Sequence, residues 1–205
     1  MTVATPPSRQ PRRSDVDRST SETSIQVQWN LDGTGQRRIA TPVPFVNHML
    51  DAFARHGCFD LVVDARGDTH IDDHHTVEDI GIVLGMALND SLGDKAGIGR
   101  FGWAAVPLDE ALAEVVVDLS GRPFLVYNVA LLHRDVKGFD LGLFEDFFQA
   151  LVHHGGLNLH INVRYGRNAH HMLEAVFKAF AKALDQATRR DDRVTGIPST
   201  KGSLA

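Results

Sequence analysis

One short pattern occurs twice in this chain, and it limits the possible folds more than any other feature. His74-His75-Thr76-Val77-Glu78 and His170-His171-Met172-Leu173-Glu174 share the form His-His-x-x-Glu. Each follows a helix-ending His-Gly pair, His56-Gly57 in one case and His154-Gly155 in the other, after intervals that differ by two residues. Self-similarity at this spacing marks a structural unit used twice, so each half of the chain must be read against the other.

The hydrophobic pattern supports a common unit. Ile25, Val27, Trp29 and Leu31 alternate with polar residues, which is the period of a half-buried strand, and Asp32-Gly33-Thr34-Gly35 supplies a turn. A second strand is expected at 37–41, a helix opened by Pro44 and closed by Gly57, a strand at 59–65 and a helix from 74 to about 92. The second half repeats this order, with strands near 112–119 and 123–129, a helix at 143–154, a strand at 157–163 and a helix at 169–188. The expected fold is α+β: a duplicated strand-strand-helix-strand-helix unit forming a two-layer sandwich, with helices packed on mostly antiparallel sheets. Residues 1–21, rich in Pro, Ser, Thr and Arg, read as a disordered N-terminal arm. Residues 22–205 read as a single domain of two repeats, about 22–98 and 99–190, with a C-terminal tail.

Composition narrows the partners. A formal charge of -5 gives no basic excess for a phosphodiester backbone, so nucleic acid is not expected. No apolar run reaches the roughly 18 residues of a membrane span, and the polar first twenty residues do not read as a secretory signal. The single cysteine, Cys58, fits a reducing compartment, so a cytoplasmic enzyme is expected.

The 11 histidines are concentrated where they can act together. At a helix start, residues four apart share a face while adjacent ones diverge by about 100°. His74 and Glu78 can therefore reach one cation while His75 points to another, and His170, Glu174 and His171 divide in the same way. His48 on the preceding helix, and Asp146 at the aligned position of the second repeat, are candidate further ligands. Mixed imidazole and carboxylate donors without thiolates suit a borderline divalent ion such as Mn, Fe or Zn rather than a structural zinc site. Asp72 and Asp73 are expected to orient imidazoles from behind. A lone His-His pair is ordinarily surface or capping, and one His-x-x-x-Glu is ordinarily a helix surface pair. Recurrence at equivalent places is what argues for metal. His56, His70, His133, His153, His154 and His160 read as structural or peripheral.

Four separated segments, Asp72-Asp73-His74-His75-Thr76-Val77-Glu78-Asp79, Asp118-Leu119-Ser120-Gly121-Arg122-Pro123, His170-His171-Met172-Leu173-Glu174-Ala175 and Pro198-Ser199-Thr200-Lys201-Gly202, stand in an order and spacing that resembles imidazoleglycerol-phosphate dehydratase from about Glu22 to Gly202. The resemblance implies dehydration of D-erythro-imidazoleglycerol phosphate to imidazoleacetol phosphate, a step of histidine biosynthesis. It also implies two manganese ions (Mn2+) per active site and a homo-oligomer of 24 subunits built from trimers, with sites between subunits. The family's metal ligands carry over onto His48, His74, His75, Glu78, His170, His171 and Glu174. Asp146 stands where relatives usually have histidine, and Asn47 replaces an Asp.

By the same resemblance, the substrate phosphate falls to Arg100, Arg122, Lys178, Ser199 and Lys201. The carbon proton beside the ring is too weakly acidic for a carboxylate alone, so the ring, held at both nitrogens, must help expel the neighbouring hydroxyl. Glu22 and Glu174 are the candidates for proton transfer, with Asp109 as a helper on a substrate hydroxyl. A dinuclear metal phosphoesterase is the alternative enzyme, and a metal-storage protein is the non-catalytic one.

Overall fold

The computed structural model describes residues 12–204. The first half contains β1 (Arg13–Ser19), β2 (Thr23–Asn30), β3 (Arg37–Ala40), α1 (Pro44–Gly57), β4 (Asp60–Gly67) and α2 (His74–Leu92). The second contains β5 (Phe101–Leu108), β6 (Ala111–Asp118), β7 (Phe124–Asn128), α3 (Leu143–Gly155), β10 (Asn158–Tyr165) and α4 (Ala169–Thr188), with a small hairpin of β8 (Asp135–Val136) and β9 (Phe139–Asp140) before α3. The sheet orders are β1-β2-β4-β3 and β5-β6-β10-β7. In each sheet two strand pairs are antiparallel and the last, β3–β4 or β7–β10, is parallel.

The expected unit is present in both halves, each preceded by one further strand. Part of that difference falls on the presumed N-terminal arm. Residues 1–11 lie outside the described residues, but residues 13–19 are not a disordered arm: they form β1, paired in full register with β2. An edge strand buries one face only. In β1 that face carries Ser14, Val16 and Arg18, which have too little apolar content to read as a strand, and polar contacts hold it instead. Ser91 donates to the Ser14 hydroxyl, and Arg18 pairs with buried Asp79 of α2 at 2.6 Å.

Each half is a sheet covered by helices. The halves meet helix layer to helix layer, α2 on α3 and α1 on α4. Phenylalanines fill the seam: Phe53 of α1 stacks on Phe180 of α4 at 5.1 Å, and Phe177 meets Phe144 and Phe148 of α3 at 5.1 and 5.2 Å. At the other contact the helices come closer than side chains allow. A β carbon on Gly81 would lie 2.4 Å from the Phe147 carbonyl oxygen, and one on Gly85 would lie 2.6 Å from that of Leu151.

A parallel strand pair needs a crossover, and α1 and α3 provide it. Each crossover helix therefore runs antiparallel to the strand that follows it, as does the helix after that strand. The register places Thr23 opposite Gly67 and Leu112 opposite Tyr165, so the β1–β2 and β5–β6 turns sit at the end where α2 and α4 begin. Helix starts and hairpin turns thus collect at one end of the molecule.

Gly85→Ala tests the close helix contact. The added methyl meets backbone that cannot rotate away, so destabilisation of about 1–3 kcal/mol is expected in denaturant unfolding. An unchanged midpoint would mean that α2 and α3 do not touch there.

Candidate metal centre and active site

Glu174, on the first turns of α4, is the hub of one cluster. Its Oε2 lies 3.2 Å from His48 Nε2 and 3.1 Å from His170 Nε2, and Lys178 Nζ is 2.6 Å from Oε1. Burial raises the Glu174 carboxyl, but the Lys178 ammonium and His48 outweigh it and hold the group at about 2. One ligand atom from each of His48, His170 and Glu174 falls within 4.8 Å of the others. That separation and the mixed nitrogen and oxygen donor set fit one divalent cation, whose bonds to such atoms are about 2.0–2.2 Å.

The other half builds a looser counterpart. His74 Nε2 is 3.5 Å from Glu78 Oε2, and its Nδ1 is 4.0 Å from Asp146 Oδ2 on α3. Asp146 thus lies on the opposite edge of the imidazole from Glu78.

The second histidine of each pair turns away. The His75 ring stands at 82° to His74, and the His171 ring at 89° to His170. His75 Nδ1 meets Asp68 at 3.1 Å and Glu22 at 3.8 Å, while His171 Nδ1 meets Glu110 at 2.8 Å and Asp109 at 4.0 Å. The hydrogen bonds that the rings donate to Asp68 and Glu110 raise both histidines above their ordinary value, and the charges of Glu22 and Asp109 add to this. Glu110 is held at about 2 by His171 first and then by the Asn168 N–H.

Glu22 lies in the β1–β2 turn directly before β2, the place that Glu110 takes before β6, and Asp109 stands one residue earlier in the β5–β6 turn. Thr20 fixes the first turn by accepting the Glu22 and Thr23 N–H groups, and the Arg18–Asp79 pair ties it to α2. Asp68 and Glu110 have no repeat-related spacing, and the sequence reading did not find them. Asp72 does not orient an imidazole, as expected of it. It caps α2 by accepting the His74 N–H at 2.9 Å, as Asn168 does for α4.

The phosphate candidates divide. Lys178 stands beside the first cluster. Arg100, Arg122, Ser199 and Lys201 lie at the other end of α4: the Gly99 and Arg100 N–H groups bond to the Arg189 and Ala187 carbonyls. A helix of 20 residues is about 30 Å long. Arg100 makes a bidentate pair with Asp118, at 2.7 and 3.1 Å, and donates to the Pro198 carbonyl, which fastens the Ser199–Lys201 loop to the sheet.

Two recesses flank His170. One, of about 570 Å³, is walled by Val43, Phe45 and Phe139 and reaches His48; the other, of about 550 Å³, contains Glu110, Arg167 and His171. The β8–β9 hairpin closes the first by bringing Phe139 to 5.9 Å from Phe45.

The family model described as imidazoleglycerol-phosphate dehydratase matches residues 41–184. The chain belongs to the imidazoleglycerol-phosphate dehydratase family. It is 59% identical over 193 residues to the imidazoleglycerol-phosphate dehydratase of Geobacter metallireducens, covering 94% of this chain and 99% of that one. To the Paraburkholderia xenovorans dehydratase it is 57% identical, covering 94% of this chain and all of the relative. The crystal structure of the Staphylococcus aureus dehydratase superposes with a TM-score of 0.79 at 40% identity, over 87% of this chain and 99% of that one. The Pyrococcus furiosus dehydratase gives 0.80 at 38%, over 92% and 100%.

Membership in the dehydratase family makes the chain a carbon–oxygen lyase, a hydro-lyase of histidine biosynthesis. Nothing in these matches supports the phosphoesterase alternative. Among the described residues no helix is long and apolar enough to cross a membrane.

The charges fix a pH dependence for the metal-free protein. Glu174 and Glu110 are depressed from 4.5 to about 2, so their contribution is complete above pH 4.5 and is lost as the pH falls towards 2. His75 and His171 are raised, so theirs is present below 6.5 and is lost as the pH climbs through the raised values. Urea unfolding between pH 2 and 6 should show a steeper loss for the wild type than for Glu174→Gln; equal slopes would contradict the assignment.

Proposed function

We propose that the chain converts D-erythro-imidazoleglycerol phosphate to imidazoleacetol phosphate at a centre that holds two manganese ions (Mn2+). The observation that carries this reading is the meeting of His48, His170 and Glu174 within 4.8 Å at a helix start, echoed by His74, Glu78 and Asp146. When bound, the paired cations would polarise and template the substrate imidazole.

The chain's own residues divide the remaining work. Glu22 presents a half-exposed carboxylate beside His75 and serves proton transfer. Asp109, far more exposed beside His171, accepts from a substrate hydroxyl. Glu174 is committed to His48, His170 and Lys178, which favours the role of ligand over that of base. Lys178 supplies positive charge next to the first cluster. Arg122 and Lys201 are exposed, and Arg100 anchors the loop that carries Ser199 and Lys201.

Because those phosphate groups and the histidines lie at opposite ends of α4, one copy does not complete the site. A homo-oligomer does, and a 24-subunit shell of trimers fits this need. Phe101, Trp103, Val116 and Phe124, all exposed on the outer face of the second sheet, are the apolar surface that such packing would cover. A cytoplasmic setting fits the biosynthetic role and the free thiol of Cys58.

Metal-stripped protein should form no enol product from the substrate until manganese is added, as followed by enol absorbance; metal-independent turnover would refute the proposal. Glu22→Gln should keep its manganese and lose orders of magnitude in turnover. Asp146 joins His74 and Glu78 on one cation only if the imidazole turns, since it lies at the other ring nitrogen; the set would then hold two carboxylates and one imidazole, harder than the first. Asp146→His should therefore shift selectivity towards zinc in competition with manganese, and an unchanged preference would remove Asp146 from the ligand set.

A further inference from the structure

The outward histidines sit at equivalent positions in the two halves, yet they are held by carboxylates from unrelated places. Asp68 follows the last residue of β4, and Glu110 lies in the turn between β5 and β6. Each carboxylate meets Nδ1, Asp68 Oδ2 at 3.1 Å from His75 and Glu110 Oε2 at 2.8 Å from His171, and among the described residues neither Nε2 has a hydrogen-bond partner. The inward histidines, His74 and His170, do the reverse and direct Nε2 at Glu78 and Glu174 of their own helix.

We infer that Asp68 and Glu110 are positioning residues that fix His75 and His171 as their Nδ1–H tautomers, so that Nε2 carries the lone pair and faces away from the chain towards a cation. This rests on the proposed metal-binding role of the two histidines. A carboxylate only accepts, so the imidazole proton must stand on Nδ1, and a neutral ring then has its one donor pair on Nε2.

Glu110 is built for this task. Its Oε1 accepts the N–H groups of Arg167 at 3.2 Å and Asn168 at 2.8 Å, which leaves Oε2 no choice of partner. The clamp predicts an asymmetry between the two positions. In Glu110→Gln the amide oxygen must stay with the two backbone donors, so the NH2 group faces His171 and drives its proton to Nε2, as other amide-for-carboxylate changes at a histidine do. Among the described residues no hydrogen bond from another residue clamps the Asp68 side chain as the two N–H groups clamp Glu110, and its Oδ1 is buried without a hydrogen-bond partner. In Asp68→Asn the amide can turn its oxygen to His75 and keep the tautomer.

The test is manganese binding to stripped protein, read from the electron paramagnetic resonance signal of free Mn2+, with circular dichroism confirming the fold. Glu110→Gln should bind on the order of 10–100-fold more weakly than wild type, Asp68→Leu likewise, and Asp68→Asn close to wild type. A Glu110→Gln protein with wild-type affinity overturns the inference, because a merely structural glutamate would tolerate the isosteric amide. Should Glu110→Gln fail to fold, the Asp68 pair decides: weaker binding by Asp68→Leu alone supports the inference, and equal affinity in both overturns it. A wild type that takes up no manganese would instead remove the underlying metal reading, and the inference with it.

Discussion

The direction of four helices governs where chemistry occurs in this molecule. The parallel pairs β3–β4 and β7–β10 oblige α1 and α3 to cross back over their sheets, and α2 and α4 then leave the same strands in the same sense. Packing α1 on α4 and α2 on α3 brings helix starts from both halves side by side. His48 thereby meets Glu174, and His74 meets Asp146, although each pair is far apart in sequence. The phenylalanine seam and the bare backbone at Gly81 and Gly85 serve this alignment as much as stability, since a shift along the helix axes would separate the clusters.

Helix starts carry positive potential and ordinarily attract anions, so gathering four of them where cations are to bind would be unfavourable by itself. The chain counters this with a ring of carboxylates at that end: Glu22, Asp68, Glu78, Asp109, Glu110, Asp146 and Glu174. Capping by Asp72 and Asn168 also satisfies the N–H groups that would otherwise compete for them. The result is imidazoles held among acids, with protonation favoured at His75 by Asp68 and at His171 by Glu110, and with the carboxylates of Glu174 and Glu110 kept ionised.

Much of this was legible in the sequence because it depends on local period. The helix spans, the central strands and the facing of His-x-x-x-Glu pairs follow from spacing alone. Edge strands escaped notice for a physical reason. β1 buries Ser14 and Arg18 through polar contacts, and β5 turns Phe101 and Trp103 outward while Gly102, Ala104 and Val106 face α4. Asp68 and Glu110 escaped because their value lies in a distance to an imidazole seven and sixty-one residues away, which no pattern of residue types encodes. The separation of Arg100, Arg122, Ser199 and Lys201 from the histidines was likewise invisible, since motif order along a chain does not reveal which end of a helix each motif occupies.

The central claim is that a working site takes its histidine clusters from one copy and its distant phosphate-binding groups from another. Co-assembly of two separately inactive variants tests it most directly: Glu174→Gln, damaged at a cluster, and a double variant Arg122→Ala and Lys201→Ala, damaged at the far end. Dissociated, mixed in equal amounts and reassembled, they should regain about a quarter of wild-type turnover, the share of sites that draw both intact parts from different copies. Mixed oligomers with no more activity than either parent would contradict the account.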